Sequence, residues 1–266
     1  MKQLYLILIL SIGVFVCFAQ DASSVSGQSK KTTFNDAAAA LSNKAIGDFF
    51  PMYDKQVNQI LRMCDKGNDI PGSVNALVNL GVYLGSDLDP EEEEVIIKGS
   101  KIDVNLYNEI CKSIVTSFSK PLNSSVAEAV SIIKAVEEGK GKDVLTGIKI
   151  LSKVKYRMRT GNELIVTADK LNLWAEVGKI NEKDFADVYK ALLSVGLEPE
   201  LNEVSTTALL GLMKANKPDA IIKAVSALST TGWRCEGELD HREKKVIESV
   251  ITNKYEEEVK ETLTMD

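Results

Sequence analysis

Seven basic residues fall within twenty positions of an otherwise acidic chain. Lys140, Lys142, Lys149, Lys153, Lys155, Arg157 and Arg159 stand against one acid, Asp143, a local excess of six positive charges in a chain of formal net charge -6. Clustered ammonium and guanidinium groups attract an anionic surface, so Lys149, Lys153, Lys155, Arg157 and Arg159 are candidate contacts for a membrane surface, an acidic polymer or an acidic protein face. The competing reading is a solvated helix face opposite Val144, Ile148, Leu151 and Met158, paired inside the molecule with the carboxylates of residues 87–94. Trp233 beside Arg234 is a second candidate contact, because a loop aromatic next to an arginine is the usual chemistry of an interface anchor. The alternative is that this indole folds back over the end of a helical stack.

Catalytic constellations are sparse. His241 is the single histidine, so a zinc site built on histidines is excluded, and its place between Asp240 and Arg242 at a helix start marks a surface position. No phosphate-binding loop, H-E-x-x-H or G-x-S-x-G sequence occurs. No catalytic residue, metal ligand or cofactor is therefore assigned. Thirty-eight Asp and Glu residues leave a carboxylate pair for glycoside hydrolysis open, without selecting one. Cys64 and Cys111 fall on apolar helix faces and Cys235 in a loop, and no C-x-x-C exists, which points to thiols acting as small hydrophobes.

The elements that carry these residues read as helices. Three successive ones lie between positions 181 and 232. Asn181 caps the first, whose stripe is Phe185, Val188, Tyr189 and Leu192; Pro199 is placed at the first position of the second, with Leu201, Val204, Ala208 and Leu212; Pro218 opens the third, with Ile221, Ile222, Val225 and Leu228. The spacing predicts further helices from Asn35, over Tyr53 to Cys64, from Pro71, from Asp89, over Tyr107 to Phe118, over Val126 to Val136, a basic one over residues 142–158, one over residues 164–177, and a charged final one over residues 240–263. Residues 95–102 are read as helix, with a small hairpin at Gly99 and Ser100 as the alternative. Asn123-Ser124-Ser125 fits an N-glycosylation acceptor, but its reading here is helix capping after Pro121. The fold class is all-α: about eleven helices in an array of antiparallel helix hairpins, either α-solenoid-like or an irregular helical stack, because connections this short make successive helices antiparallel.

A five-residue core recurs as Ile132-Ile133-Lys134-Ala135-Val136, Val188-Tyr189-Lys190-Ala191-Leu192 and Ile221-Ile222-Lys223-Ala224-Val225. The last two copies lie 33 residues apart, a hairpin-repeat length, whereas the first spacing of 56 fits no common period. Trp174, Val177 and Gly178 meet the opening W-x2-L-G of tetratricopeptide repeats only loosely, since a helix ends at Gly178 where that pattern continues, and no family is claimed.

Residues 1–19 read as a secretory signal peptide, with Lys2, an apolar run and a Cys17-Phe18-Ala19 cleavage site before Gln20. Residues 20–33 read as a disordered tether and residues 34–266 as the helical domain, with a subdivision near 87–103. The protein is thus expected to be periplasmic or extracellular and not transmembrane once the signal is cleaved. Its acidic balance argues against nucleic acid as a partner. The function these features imply is an exported helical scaffold that binds a protein partner or an anionic surface. The alternatives are a cell-envelope hydrolase using a carboxylate pair, or a structural protein that self-associates through the final helix.

Overall fold

Side chains that close the free N–H groups of a first turn decide where the helices begin. In the computed structural model, which describes residues 31–44, 53–85, 87–157 and 165–252, twelve helices follow one another among those residues. They are α1 (Phe34–Lys44), α2 (Asp54–Lys66), α3 (Ile70–Leu80), α4 (Pro90–Gly99), α5 (Val104–Phe118), α6 (Val126–Glu137), α7 (Gly141–Lys153), α8 (Ala168–Gly178), α9 (Glu182–Ser194), α10 (Glu203–Ala215), α11 (Pro218–Thr230) and α12 (His241–Ile251). Ser125 and Glu128 form a reciprocal capping box at α6, and Asp240 with Glu243 does the same at α12. Asp69, Asp103, Thr167, Asn181 and Asn202 cap α3, α5, α8, α9 and α10. The described residues contain no strand, only the isolated bridges Val82 to Ser124 and Leu197 to Gly237.

The helices pack as hairpins in two layers. In the odd layer α1 packs on α3, α3 on α5, α5 on α7, and α9 on α11; in the even layer each of α2, α4, α6, α8, α10 and α12 packs on the next. This packing on second neighbours, unbroken in the even layer and interrupted in the odd layer between α7 and α9, gives the stack the layered form of an α-solenoid. Odd helices begin at Phe34, Ile70, Val104, Gly141, Glu182 and Pro218, offsets of 36, 34, 37, 41 and 36 residues; even helices begin at Asp54, Pro90, Val126, Ala168, Glu203 and His241, offsets of 36, 36, 42, 35 and 38. The 56-residue spacing between copies of the recurrent five-residue core is now explained, since the copy in α6 lies in the even layer and those in α9 and α11 in the odd one.

The core runs along the seam between the layers. Leu41, Ile60, Leu77, Ile96, Ile110, Ile133, Ile148, Trp174, Phe185, Leu209, Val225 and Ile247 are all buried, and they come from all twelve helices. The hairpin of α7 and α8 is the tightest. A Cβ built on Gly147 would lie 1.8 Å from the Trp174 carbonyl oxygen, and one on Gly178 would lie 1.9 Å from that of Asp143. Only hydrogen side chains let these two backbones meet. Phe118, Tyr156 and Trp174 close the same region with ring centroids 5.2 to 6.3 Å apart.

Several expected boundaries move. Pro199 does not open a helix: residues 195–202 form a connection, held by the Glu198 amide donating to the Gly237 carbonyl at 2.8 Å, and Asn202 caps α10. The basic helix ends at Lys153, because Lys155 takes a left-handed φ of 52° and the chain turns away. Residues 95–99 are helical, so the hairpin alternative is not what forms. The proposed subdivision near 87–103 falls on α4, which packs on both α2 and α6. Residues 31–33, assigned to the tether, are tied down, with the Thr32 amide donating to the Asn68 carbonyl at 3.0 Å. The expected signal peptide, most of the tether and the final helix beyond Thr252 lie outside the described residues.

The Gly147 contact predicts that Gly147→Ala destabilises the fold by about 1–3 kcal/mol or more, because the α7 and α8 backbones must separate. Gly85→Ala, where the nearest atom would be 3.8 Å away, is expected to leave the denaturation midpoint essentially unchanged.

Candidate functional site

The even layer carries a surface groove between α4 and α6. Both helices start at the same edge of the stack and run parallel, and Val95, Val126, Ala127 and Val130 form an apolar floor under a rim of Glu91, Glu94 and Lys98. The cavity measures about 310 Å³, at the small end of ligand-sized clefts. Val130 remains 40% exposed in the middle of α6. Glu94 and Lys98, one turn apart, pair at 2.6 Å, and the ammonium group holds the Glu94 carboxyl below its ordinary value. The rim is therefore charged through the Glu94–Lys98 pair and the floor is apolar.

The residues singled out from sequence are placed differently from one another. Lys149 in α7 pairs with Glu109 of α5 at 3.1 Å, and Lys153 pairs with Glu182 of α9, so both tie one odd helix to the next. Arg157 meets Glu200 at 3.4 Å, and its amide donates to the Leu201 carbonyl. Lys155 is exposed on the connection after α7, and Arg159 lies outside the described residues. The partners of the strip are thus carboxylates of neighbouring hairpins. Those of residues 87–94 pair elsewhere, Asp87 with Lys55, Glu93 with Arg62 and Glu94 with Lys98. Trp233 is half-buried against the core, its amide donating to the Leu228 carbonyl at 3.2 Å.

Sequence reasoning missed a buried ionic centre at the edge where α6 and α8 begin. Lys120 and Glu128 pair at 3.3 Å with side chains only 1% and 5% exposed. The Glu128 carboxylate also accepts from the Ser125 and Val166 amides at 2.8 Å each, which pins the connection before α8 to the start of α6. Lys170, also buried, donates to the Ile165 carbonyl at 2.9 Å, and burial lowers its pKa against the opposing pull of Glu203 and Glu128. The sequence signal was the capping spacing of Ser125 and Glu128; nothing local announced that a lysine five residues before the helix would be buried with it.

Other reactive groups are held inert. Burial pushes the Cys235 thiol up to about 11 and raises the Cys111 thiol well above its usual range, and Cys64, Cys111 and Cys235 are all free. Asp240 and Glu243 are the closest approach to a catalytic carboxylate pair, with Asp240 lowered by its bond to Glu243 and Glu243 raised by burial. Both carboxylates nevertheless serve the backbone, accepting from the Arg242 and Asp240 amides. No cluster of three His, Cys, Asp or Glu side chains suited to a metal occurs among the described residues. No helix among them is long and apolar enough to cross a membrane.

The class this geometry defines is an α-solenoid of helix hairpins with an apolar groove on its even layer. No family model, curated protein or solved structure matches the chain.

Removing Glu128 takes the ion-pair partner from buried Lys120 and orphans two amides, so Glu128→Ala is expected to cost about 3–5 kcal/mol in chemical denaturation. Reversing Lys149, Lys153 and Lys155 together should cost much less, since exposed pairs contribute only about 0.2–1 kcal/mol each. A pH dependence follows from Glu176, which Lys179 and Lys214 lower to about 2. Its folded pKa is depressed, so the stability it adds is present above about pH 4.3, the unfolded value. That stability fades as pH falls toward 2. In Glu176→Gln, the melting temperature should fall less steeply over that window than in the wild type.

Proposed function

We propose that this protein is an exported scaffold that binds a partner protein through exposed apolar positions on the even layer of its solenoid. The observation that carries the reading is the groove between α4 and α6, where four aliphatic side chains floor a charged rim on the surface of a modular array. Stacked hairpins offer long rigid surfaces at little conformational cost, and an apolar strip rimmed by charge is the usual form of a protein contact. A protein partner is favoured over an anionic surface, because Lys149, Lys153 and Arg157 already face carboxylates of neighbouring hairpins. Export follows from the charged, apolar and small-residue pattern of residues 1–19.

A photo-crosslinking amino acid at position 130, in cells that express the full chain, tests this. A discrete adduct should form in the exported fraction, on protein whose first residue is Gln20. It should be lost in Ala127→Asp, with helix content unchanged. Absence of any adduct from a folded protein, or an adduct indifferent to Ala127→Asp, overturns the groove as the binding surface; recovery of Met1 overturns export.

A further inference from the structure

One edge of the solenoid concentrates both its exposed apolar side chains and its negative charge. Among the described residues, connections that lead from an odd helix into the following even helix pair with one another along this edge. Val82 bridges Ser124, the Arg157 amide donates to the Leu201 carbonyl, and Leu197 bridges Gly237. Of the seven large hydrophobic residues that stand exposed among the described residues, five sit here, one for each of the first five hairpins: Tyr53, Tyr83, Leu122, Ile165 and Val204. Leu122 is 68% exposed, although its backbone is fixed against Gly81, where a Cβ would come within 2.4 Å of the Leu122 Cα. The side chain is thus held outward by a rigid neighbour.

The charge on the edge is equally one-sided. Among the described residues, these connections and the first four residues of the even helices hold fifteen carboxylates against eight lysines and arginines. That excess of seven exceeds the net of -6 carried by the whole chain. Two of the lysines, Lys120 and Lys170, are buried, against one of the carboxylates, Glu128, so the solvent-facing balance is slightly more acidic still.

We infer that this edge docks an extended, cationic polypeptide segment of a partner, with an apolar side chain at every third residue and lysine or arginine between. The charge selects a basic ligand and disfavours an anionic membrane, which the same excess repels. The spacing selects an extended one. Packed helices stand about 8–10 Å apart, so one apolar knob per hairpin gives a row with that pitch. A polyproline II chain has three residues per turn at about 3.1 Å each, presenting every third side chain on one side at intervals of about 9.3 Å. A helical ligand rises only about 1.5 Å per residue and repeats its face every 5.4 Å, which does not match the row. This inference rests on the scaffold reading and assigns a surface that adjoins the α4–α6 groove, sharing Glu91, Val126 and Ala127 with it.

The test uses the purified full chain and a fluorescein-labelled (Leu-Pro-Lys)5 peptide, read by anisotropy. The expected result is saturable binding that weakens at least tenfold in 0.5 M NaCl and at least tenfold in the double variant Leu122→Ser with Val204→Ser. Both positions are exposed, so the variant should keep its circular dichroism. Glu198→Gln with Glu203→Gln, neither of which lines the α4–α6 groove, should weaken binding and flatten its salt dependence. Equal binding by (Ser-Pro-Lys)5 overturns the apolar register, and equal binding by a peptide with leucine at every fourth residue overturns the spacing. Dimerisation of the free protein that Leu122→Ser abolishes assigns the edge to a second copy of this chain and overturns the inference, as does equal uptake by neutral lipid vesicles. If the peptide fails while the crosslink at position 130 persists, the edge assignment falls and the scaffold reading stands; if both fail, both fall.

Discussion

The backbone contact between Gly147 and Gly178 is the constraint on which the middle of the array depends. It lets the α7 backbone at Gly147 meet the Trp174 carbonyl, and the α8 backbone at Gly178 meet that of Asp143, with no side chain between. This hairpin receives α5 and α6 on one side and passes α10 on from α8 on the other, so its tight geometry sets the register in which the neighbouring hairpins stack. The aromatic cluster of Phe118, Tyr156 and Trp174 joins the end of α5 and the connection after α7 to α8. In the odd layer, α7 is joined to α9 by the Lys153 to Glu182 ion pair, while the even layer packs continuously through α8 and α10.

Electrostatics divides between two environments that behave differently. The pair of Lys120 and Glu128 is dry, and its worth lies in specificity: Glu128 must satisfy Ser125, Val166 and Lys120 together, which fixes where the connection before α8 attaches. The pairs between hairpins, Lys149 with Glu109 and Arg62 with Glu93 among them, are wetter and individually weak, though repeated from one hairpin to the next. What reads along the chain as a basic run and an acidic run is, in space, each run pairing with nearer neighbours.

Helix capping and the acidic edge share one cause. Carboxylates are favoured in first turns because they complement the exposed N–H groups and the positive end of the helix dipole. In a solenoid every even helix starts on the same edge, so residues placed one helix at a time for local reasons, such as Asp54, Glu91, Asp169, Glu203 and Glu243, accumulate into one field. The connections between them carry outward apolar side chains, of which Leu122 is the most firmly positioned.

The sequence by itself determined the all-helical class, most helix starts and the inward stripes, because capping and the 3.6-residue period are local. Asn181, Ser125 and Asp240 cap as their spacing predicts, and Phe185, Val188 and Leu192 are buried together. Tertiary structure decided what depends on which elements become neighbours. Pro199 matched the start of a helix, but the pairing of residues 195–202 with the connection before α12 outweighed it, and the helix waited for Asn202. Lys120 looked like any exposed lysine until α6 and the connection before α8 closed over it, and Lys149 found Glu109 forty positions away across a helix packing that no local window contains. The 36-residue stagger was faint in the sequence because each hairpin conserves only spacing and polarity, which many side chains satisfy; it became visible once the layers stacked.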